Sequence, residues 1–300
     1  MPSTSPRWVI ATYRLEAGDE ARFQAALSAC DYHDFTIVDR SDGARDLTCY
    51  GRGGKLPPAI EPLLAPLQQL AWEHCDEADL LARYDDKRMV ELCPGVWVIP
   101  AASSEQPPDN GIPLRLAAGP AFGDGRHPTT RAAARLMAKI DWSAARVWDV
   151  GAGSGILGIL AAAWGAQNIA FSDIDHDAVR TCQASCAANG LEQATVLQGD
   201  LLAPFPCPPQ PQVIIANIYA ELLHLLLDDP KLQAALGQGQ LILSGISHQK
   251  IAAVRAHLAR QGFTILHEDV EEWWHALHAQ RGAASAASTI VASDDENPPL

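Results

Sequence analysis

Residues 146–158 contain the feature that most restricts the fold of this chain, a short apolar run followed at once by closely spaced glycines. The run Val147–Val150 favours a buried β-strand, and Gly151, Gly153 and Gly155 follow it. Because glycine lacks a Cβ atom, a ligand or another backbone segment can approach such a turn closely. We therefore expect a central strand that turns sharply into a helix, as in nucleotide-binding α/β folds.

The spacing of the glycines distinguishes between two kinds of nucleotide-binding turn. A G-x-G-x-x-G pattern exists at Gly153, Gly155 and Gly158, but it begins two residues after the strand should end. A dinucleotide-binding turn has its first glycine directly at the strand end, and here Gly151 occupies that position. The pattern Asp149-x-Gly151-x-Gly153-x-Gly155 resembles the first motif of the Rossmann-like S-adenosylmethionine-dependent methyltransferases.

Composition narrows the class of protein. The chain has 300 residues, 48% of them apolar, which suffices for one large α/β domain with a smaller companion. It has no apolar run long enough for a membrane span and no secretion signal, so we expect a cytoplasmic protein. A formal charge of −14 disfavours direct nucleic-acid binding. The seven cysteines form no C-x-x-C pair, which indicates neither a disulfide framework nor a metal site.

Four segments are predicted along the chain. Residues 1–95 read in the order β-α-β-β-α, which indicates a small α+β domain with a role in structure or substrate recognition. The second helix of this domain is predicted over Ile60–Trp72. Residues 96–115 are expected to form a strand and a linker, and residues 116–282 the larger domain. Residues 283–300, which are small and polar, are expected to form a disordered tail.

The larger domain alternates strand and helix, which predicts a doubly wound sheet. The expected strands are Val147–Val150, Ile169–Asp173, Thr195–Gln198, Val213–Asn217 and Gln240–Ser244. Near the C-terminus, residues 262–266 and 273–277 are close enough in sequence to pair antiparallel at one edge. The predicted fold class is therefore α/β, with a Rossmann-like methyltransferase sheet that is mostly parallel and has an antiparallel last strand.

Polar side chains follow three of these strands, at the edge where ligands of open α/β sheets bind. Asp173 lies 22 residues beyond Gly151, close to the spacing of roughly 20 at which an acidic residue meets the ribose hydroxyls of a nucleotide. Asp200 either accepts from an adenine amino group or is a polar turn residue. Asn217 ends an apolar strand, and its amide suits the orientation of a nucleophile. Asp175 is expected to cap the next helix.

A loop of unusual composition precedes the glycine turn. It runs from Gly119 to Thr130 and reads Gly-Pro-Ala-Phe-Gly-Asp-Gly-Arg-His-Pro-Thr-Thr. Thr129 or Thr130 is expected to cap the Ala-rich helix predicted over Arg131–Lys139. A capped turn explains the glycines and one threonine, but it does not explain the phenylalanine, arginine and histidine of this loop.

Together these motifs resemble the ribosomal protein L11 methyltransferase family. The similarity covers roughly residues 90–280 and includes the loop, the glycine turn, Asp173-Ile174-Asp175, Asn217-Ile218-Tyr219-Ala220 and Leu241–Ile246. The resemblance implies a protein methyltransferase that uses S-adenosylmethionine and methylates lysine and N-terminal amines of that ribosomal protein. We expect the protein to be a monomer.

The resemblance also implies which residues form the site. The cofactor contacts that it implies are Thr130, Gly151, Asp173 and Asn217. We add three residues from the loop, the glycine turn and the third strand, namely Phe122, Gly153 and Asp200. Asn217 is further expected to orient the acceptor amine.

Three positions depart from the family pattern. Asp124 and Arg126 stand where the family loop usually has threonines, and Tyr219 stands where it usually has leucine. In addition, the N-terminal region matches the family only in its order of elements.

Three alternative functions remain compatible with the residues. The acceptor could be another protein or a small amine. A nicotinamide-dependent oxidoreductase would use the shifted glycine pattern at Gly153. A non-catalytic module would bind the cofactor without transferring a methyl group.

Overall fold

The computed structural model describes residues 8–16, 18–30, 32, 35–40, 44–76, 79, 89–119 and 121–282. The chain divides into two compact units, Met1–Asp86 and Lys87–Leu300. The disordered tail predicted over 283–300 lies outside the described residues.

The described residues of the first unit form a four-stranded antiparallel sheet and two helices. Its elements are β1 (Trp8–Leu15), α1 (Glu20–Ala29), β2 (Phe35–Asp39), β3 (Arg45–Arg52), α2 (Glu61–Leu64) and β4 (Gln68–Cys75), and the strand order is β2-β3-β1-β4. Val9, Ala11 and Tyr13 alternate along β1 and are buried with Phe23 and Leu27 of α1. This alternation with a period of two places one face of the sheet in the core of the unit.

The prediction of a helix over Ile60–Trp72 is wrong. Only Glu61–Leu64 is helical, and Gln68–Cys75 forms a strand that pairs antiparallel with β1. Pro66 explains the difference, because a proline inside a helix removes a backbone hydrogen bond and clashes with the preceding turn, whereas Pro62 lies in the first turn of α2, where proline is tolerated. The chain therefore leaves the helix after one turn and completes the edge of the sheet.

The second unit begins earlier than the predicted domain boundary at residues 95 and 96. Strands β5 (Val90–Cys93), β6 (Val96–Pro100) and β7 (Ile112–Leu116) form a small sheet in the order β5-β6-β7. Leu92 and Cys93 are buried in the core of the second unit, together with alanines of the helix that follows β7. Burial of this apolar pair joins residues 90–93 to the larger unit.

The main sheet of the second unit has seven strands. They are β8 (Arg146–Val150), β9 (Asn168–Asp173), β10 (Thr195–Gln198), β11 (Val213–Asn217), β12 (Gln240–Ser247), β13 (Phe263–Glu271) and β14 (Trp274–Arg281), in the order β10-β9-β8-β11-β12-β14-β13. Strands β8 to β12 pair in parallel, and β14 pairs antiparallel with both β12 and β13. The predicted α/β class, with its mostly parallel sheet and antiparallel last strand, is confirmed.

Helices cover both faces of this sheet. They are α3 (Pro128–Met137), α4 (Ile156–Ala163), α5 (His176–Ala188), α6 (Ala220–Asp228), α7 (Pro230–Leu236) and α8 (Ile251–Arg260). Successive residues of β11 belong to different cores, since Ile214 is buried with α6 to α8 and Ile215 with α3 to α5. The apolar runs of the central strands are thus explained by burial on both faces. No helix in the described part of the chain is long and apolar enough to cross a membrane.

Asp149 and Gly158 connect β8 to α4. The Asp149 carboxylate is buried, and its Oδ2 accepts a hydrogen bond of 2.8 Å from the Gly158 amide. Burial raises the pKa of Asp149 to about 7, the Gly158 hydrogen bond opposes this shift, and the nearby Asp173 carboxylate adds to it. A Cβ atom at Gly158 would lie 2.2 Å from Cε1 of the buried Phe171 ring. Helix α4 therefore packs too closely against Phe171 of β9 for any side chain at position 158.

We expect Gly158→Ala to destabilise the protein, although alanine is normally the better helix former. Overpacking against Phe171 is expected to lower the free energy of unfolding by about 1–3 kcal/mol, measured by thermal or denaturant unfolding. Adding Phe171→Leu should make the Gly158→Ala substitution less costly than it is in the wild type. A Gly158→Ala variant as stable as the wild type would contradict the close packing.

Asp149 is expected to make stability depend on pH. Its pKa is raised in the folded protein, so its favourable contribution is complete at about pH 4 and below and is lost as the pH rises through about 7. Asp149→Asn, which stays uncharged and retains an acceptor for Gly158, should therefore gain stability relative to the wild type as the pH rises from about 4 to about 7. The measurement is the free energy of unfolding of both proteins at each pH. If the difference in the free energy of unfolding between the two proteins is the same at every pH, Asp149 does not titrate in this range.

Candidate functional site

The glycine turn lies at the carboxyl end of β8 and is enclosed from two sides. Gly151 and Gly153 have φ values of 66° and 56°. A Cβ atom at Gly151 would lie 2.4 Å from Cγ2 of Ile218, and one at Gly153 would lie 2.3 Å from the carbonyl oxygen of Phe122. Both glycines are therefore required by backbone conformation and by close approach. The turn brings the loop before α3 and the segment after β11 to the same place.

Asp173 ends β9 and is tied to the glycine turn. Its Oδ2 accepts a hydrogen bond of 2.9 Å from the Gly153 amide, and its Oδ1 accepts one of 2.9 Å from the Asp175 amide. Burial raises the pKa of Asp173, and these two amide hydrogen bonds oppose the shift. Since a carboxylate oxygen has more than one acceptor site, both oxygens can still accept from a ligand hydroxyl. The predicted capping role of Asp175 is confirmed, because its Oδ1 accepts from the Asp177 amide at 2.9 Å.

Asn217 ends β11, on the other side of β8. Its Nδ2 donates to Thr130 Oγ1 at 3.3 Å, and the Thr130 side chain is fully buried. The Asn217 Oδ1 atom is buried and has no hydrogen-bond partner in the described part of the chain. An unpaired buried acceptor is destabilising by about 1–3 kcal/mol. Thr130 thus holds the Asn217 side chain, and the Asn217 Oδ1 atom retains its capacity to accept a hydrogen bond.

The loop before α3 packs against the glycine turn. The Phe122 carbonyl accepts a hydrogen bond of 2.9 Å from the Ser154 amide, and the Gly123 carbonyl accepts one of 2.6 Å from Ser154 Oγ. The Phe122 side chain itself is 52% exposed. Its ring lies edge-on to the ring of His127, with 5.2 Å between centroids. An exposed aromatic ring is therefore held next to the glycines by its own backbone.

His127 caps α3, so the prediction that Thr129 or Thr130 does so is wrong. The His127 Nδ1 atom accepts from the Thr129 amide at 3.3 Å and lies 2.8 Å from Thr129 Oγ1. The helix also begins earlier than predicted, at Pro128, because proline is favoured in the first turn. Burial lowers the pKa of His127 to about 4, and the nearby Arg131 charge acts in the same direction. The imidazole is therefore neutral at neutral pH.

Asp124 and Arg126 form a local turn within the same loop. Asp124 Oδ1 accepts a hydrogen bond of 2.9 Å from the Arg126 amide, and Arg126 Nε lies 3.5 Å from Asp124 Oδ2. A threonine hydroxyl can accept from the backbone two residues on in the same way, although more weakly. Asp124 can thus supply the same kind of backbone contact as a threonine at this position.

Asp200 lies in the turn that follows β10. Its side chain is exposed, and its carbonyl accepts from the Ala203 amide at 2.9 Å. The preceding Gly199 amide donates to the Asp173 carbonyl at 2.9 Å, so this turn lies beside the end of β9. Lys231 Nζ holds the turn from outside by donating to the Leu202 carbonyl at 2.8 Å and the Ala203 carbonyl at 3.1 Å.

Two features of the site were missed by the sequence analysis. Ile174, directly after Asp173, is a large apolar side chain that is 68% exposed at the binding edge. Gly245, at a bulge of β12, has φ 81°, and a Cβ atom there would lie 2.3 Å from the Ile218 carbonyl oxygen. A glycine within a predicted strand is the available signal, since it often marks a bulge or a close backbone approach.

The described residues thus bring together Phe122, Thr130, Gly151, Gly153, Asp173 and Asn217 around one turn, with Asp200 in the adjacent turn. The site combines an exposed aromatic ring, a half-buried carboxylate and an unpaired amide oxygen with a tight glycine turn. No group of three or more histidine, cysteine, aspartate or glutamate side chains within the described ranges could hold a metal ion.

Comparison with known proteins identifies relatives of this chain. Residues 67–282 match the family model described as "Ribosomal protein L11 methyltransferase (PrmA)". A protein of that name from Exiguobacterium sibiricum is 38% identical over 196 residues, which are 65% of this chain and 61% of the relative. Its namesake from Geobacter metallireducens is 38% identical over 178 residues, 59% of this chain and 57% of the relative. The matched region thus spans about three fifths of the length of these relatives.

A solved structure is similar to this chain in both fold and sequence. The crystal structure of ribosomal protein L11 methylase from Lactobacillus delbrueckii subsp. bulgaricus is 30% identical, with a TM-score of 0.60, and the match covers 65% of this chain and all of that chain. The family model covers well over half of the present chain and includes every residue of the site described above. The chain therefore belongs to the ribosomal protein L11 methyltransferase family.

Proposed function

We propose that this protein transfers methyl groups from S-adenosylmethionine to lysine and N-terminal amines of ribosomal protein L11. The observation that carries the proposal is the buried, unpaired Asn217 Oδ1 atom at the carboxyl end of β11, next to the glycine turn. An incoming amine can donate a hydrogen bond to this oxygen. The family of the chain implies both the cofactor and the ribosomal protein as acceptor.

The residues around the turn fit the cofactor. Gly151 and Gly153 form the tight turn beside which the cofactor would bind, and Asp173 retains acceptor sites for its ribose hydroxyls. We expect the exposed Ile174 side chain to contact the adenine ring and Asp200 to accept from the adenine amino group. Two further residues complete the expected cofactor site. Phe122 holds the loop through its backbone, and Thr130 holds the Asn217 side chain.

The cofactor supplies a methyl group on a positively charged sulfur, which is already activated for in-line displacement. The protein must then position an amine and exclude water. A lysine with a reference pKa near 10.4 requires about 4–5 kcal/mol for deprotonation at pH 7. Burial of the acceptor favours its neutral form. Asn217 Oδ1 would accept from the amine N–H and direct the nitrogen lone pair, and Gly245 leaves the Ile218 carbonyl uncovered as a second acceptor.

A different acceptor protein is the second candidate. The family match begins at residue 67, so most of the first unit lies outside it. That unit is also the part of the chain with only a general resemblance in sequence. Incubation with methyl-labelled cofactor, first with purified ribosomal protein L11 and then with a cell extract, distinguishes the two. Label on L11 supports the proposal, whereas label only on another protein supports the alternative.

We expect Asn217→Ala to lower the rate of methyl transfer at least about a hundredfold, the loss typical when reacting atoms are no longer oriented. Asp173→Ala should abolish methylation through loss of cofactor binding, because the ribose loses its charged acceptor. The measurements are methyl incorporation and the affinity for S-adenosylhomocysteine. Undiminished turnover in either variant would remove that residue from the site.

We expect the neutral His127 to act as a helix cap and not as the proton acceptor. Burial lowers its pKa to about 4, so it does not titrate in the range of about pH 6 to 9. His127→Asn keeps a capping acceptor, and its pH–rate profile should have the same shape as that of the wild type. Loss of a basic limb in the variant would instead identify His127 as the proton acceptor.

A further inference from the structure

Two arginines of α3 bind the C-terminal hairpin formed by β13 and β14. Arg131 Nε donates to Glu271 Oε1 at 2.6 Å, and Arg135 Nε donates to Asp269 Oδ2 at 3.0 Å. Arg135 also lies 2.7 Å from Glu271 Oε2. The four side chains are only 20–32% exposed. These ion pairs are therefore partly shielded from water and hold the hairpin against the helix.

Arg131 differs from Arg135 because it also binds the loop before α3. Its NH1 atom donates to the Arg126 carbonyl at 2.7 Å. Among the described residues, the side-chain hydrogen bonds and ion pairs of Arg135 all lead to the hairpin. The planar guanidinium offers several donors in a fixed arrangement, so one side chain can hold two segments at a defined distance. Arg131 thus connects the hairpin to the loop.

An aromatic contact joins the same two segments independently. The ring of His127 lies edge-on to Trp274, the first residue of β14, with 5.4 Å between centroids. On its other side the His127 ring contacts Phe122. The loop is therefore linked to the hairpin in two ways, through Arg131 at the Arg126 carbonyl and directly through the His127 ring.

The opposite side of the loop rests on the glycine turn, through the Phe122 and Gly123 carbonyls. Gly123 and Gly125 have positive φ, and such a glycine-rich loop loses much conformational entropy when it becomes ordered. Contacts that order the loop before a ligand arrives reduce the entropy loss on binding.

We propose that Arg131 is a positioning residue, which uses the C-terminal hairpin as a support to hold the 121–127 loop over the cofactor-binding turn. The inference rests on the proposed function, because it concerns affinity for the same cofactor. It assigns a role to a hairpin that begins more than a hundred residues after the glycine turn and contributes none of the predicted cofactor contacts.

The test compares Arg131→Met with Arg135→Met as a matched control. Both variants remove an arginine that binds the hairpin, and only the first removes the donor to the Arg126 carbonyl. We measure the dissociation constant for S-adenosylhomocysteine by calorimetry, the melting temperature, and hydrogen exchange of amides in residues 121–127. Arg131→Met should raise the dissociation constant about tenfold, as expected for loss of one charge-assisted hydrogen bond, and should increase exchange in the loop. Arg135→Met should change the affinity less than about twofold.

Arg131→Lys provides a second test, in case Arg131→Met does not fold. Lysine retains the charge but lacks the planar guanidinium that can donate to two partners at once. The Arg131→Lys variant should therefore bind S-adenosylhomocysteine more weakly than the Arg135→Lys variant. The inference would be overturned if the methionine variants of Arg131 and Arg135, or the two lysine variants, had equal affinities for S-adenosylhomocysteine. Hydrogen exchange in the loop that is unchanged in the Arg131 variants would also overturn it. Failure of the wild-type protein to bind S-adenosylhomocysteine would instead contradict the proposed function.

Discussion

The site depends on the close packing of three segments at the glycine turn. The turn approaches the Phe122 carbonyl through Gly153, the Ile218 side chain through Gly151, and Cys182 of α5 through Gly155, at distances that leave no space for a Cβ atom. Each contact fixes a different wall of the site, namely the loop before α3, the end of β11 and the helix after β9. A side chain at any of these glycines would therefore move a wall of the site and disturb more than the turn itself.

Polar groups around this turn are held in a partly buried environment, and this determines their charge. Burial raises the pKa values of Asp149 and Asp173 and lowers that of His127. Backbone amides of Gly158, Gly153 and Asp175 compensate for part of the burial of the carboxylates. Asn217 Oδ1, in contrast, has no such compensation within the described ranges. This uncompensated atom lies where an acceptor amine is expected, which fits a site whose main task is to orient a neutral nucleophile.

The helix α3 links this chemistry to the rest of the second unit. Thr130 on its first turn holds Asn217, and the Ser244 hydroxyl of β12 donates to the Thr129 carbonyl at 2.9 Å. Arg131 and Arg135 on its following turns hold the C-terminal hairpin. A single short helix thus contacts the loop, two parallel strands and the antiparallel pair.

The sequence by itself determined the parallel sheet, the glycine turn and the positions of Asp173 and Asn217, because apolar periodicity and glycine spacing are local properties of the chain. It also predicted the Asp175 cap, which depends on a residue two positions away. Tertiary structure alone decided that Gln68–Cys75 is a strand, since the pairing partner β1 is distant in sequence. Only the folded chain could likewise show that Gly245 makes room for Ile218 and that Glu271 meets Arg131. Each of these contacts joins residues whose distance in space is set by the packing of the whole unit.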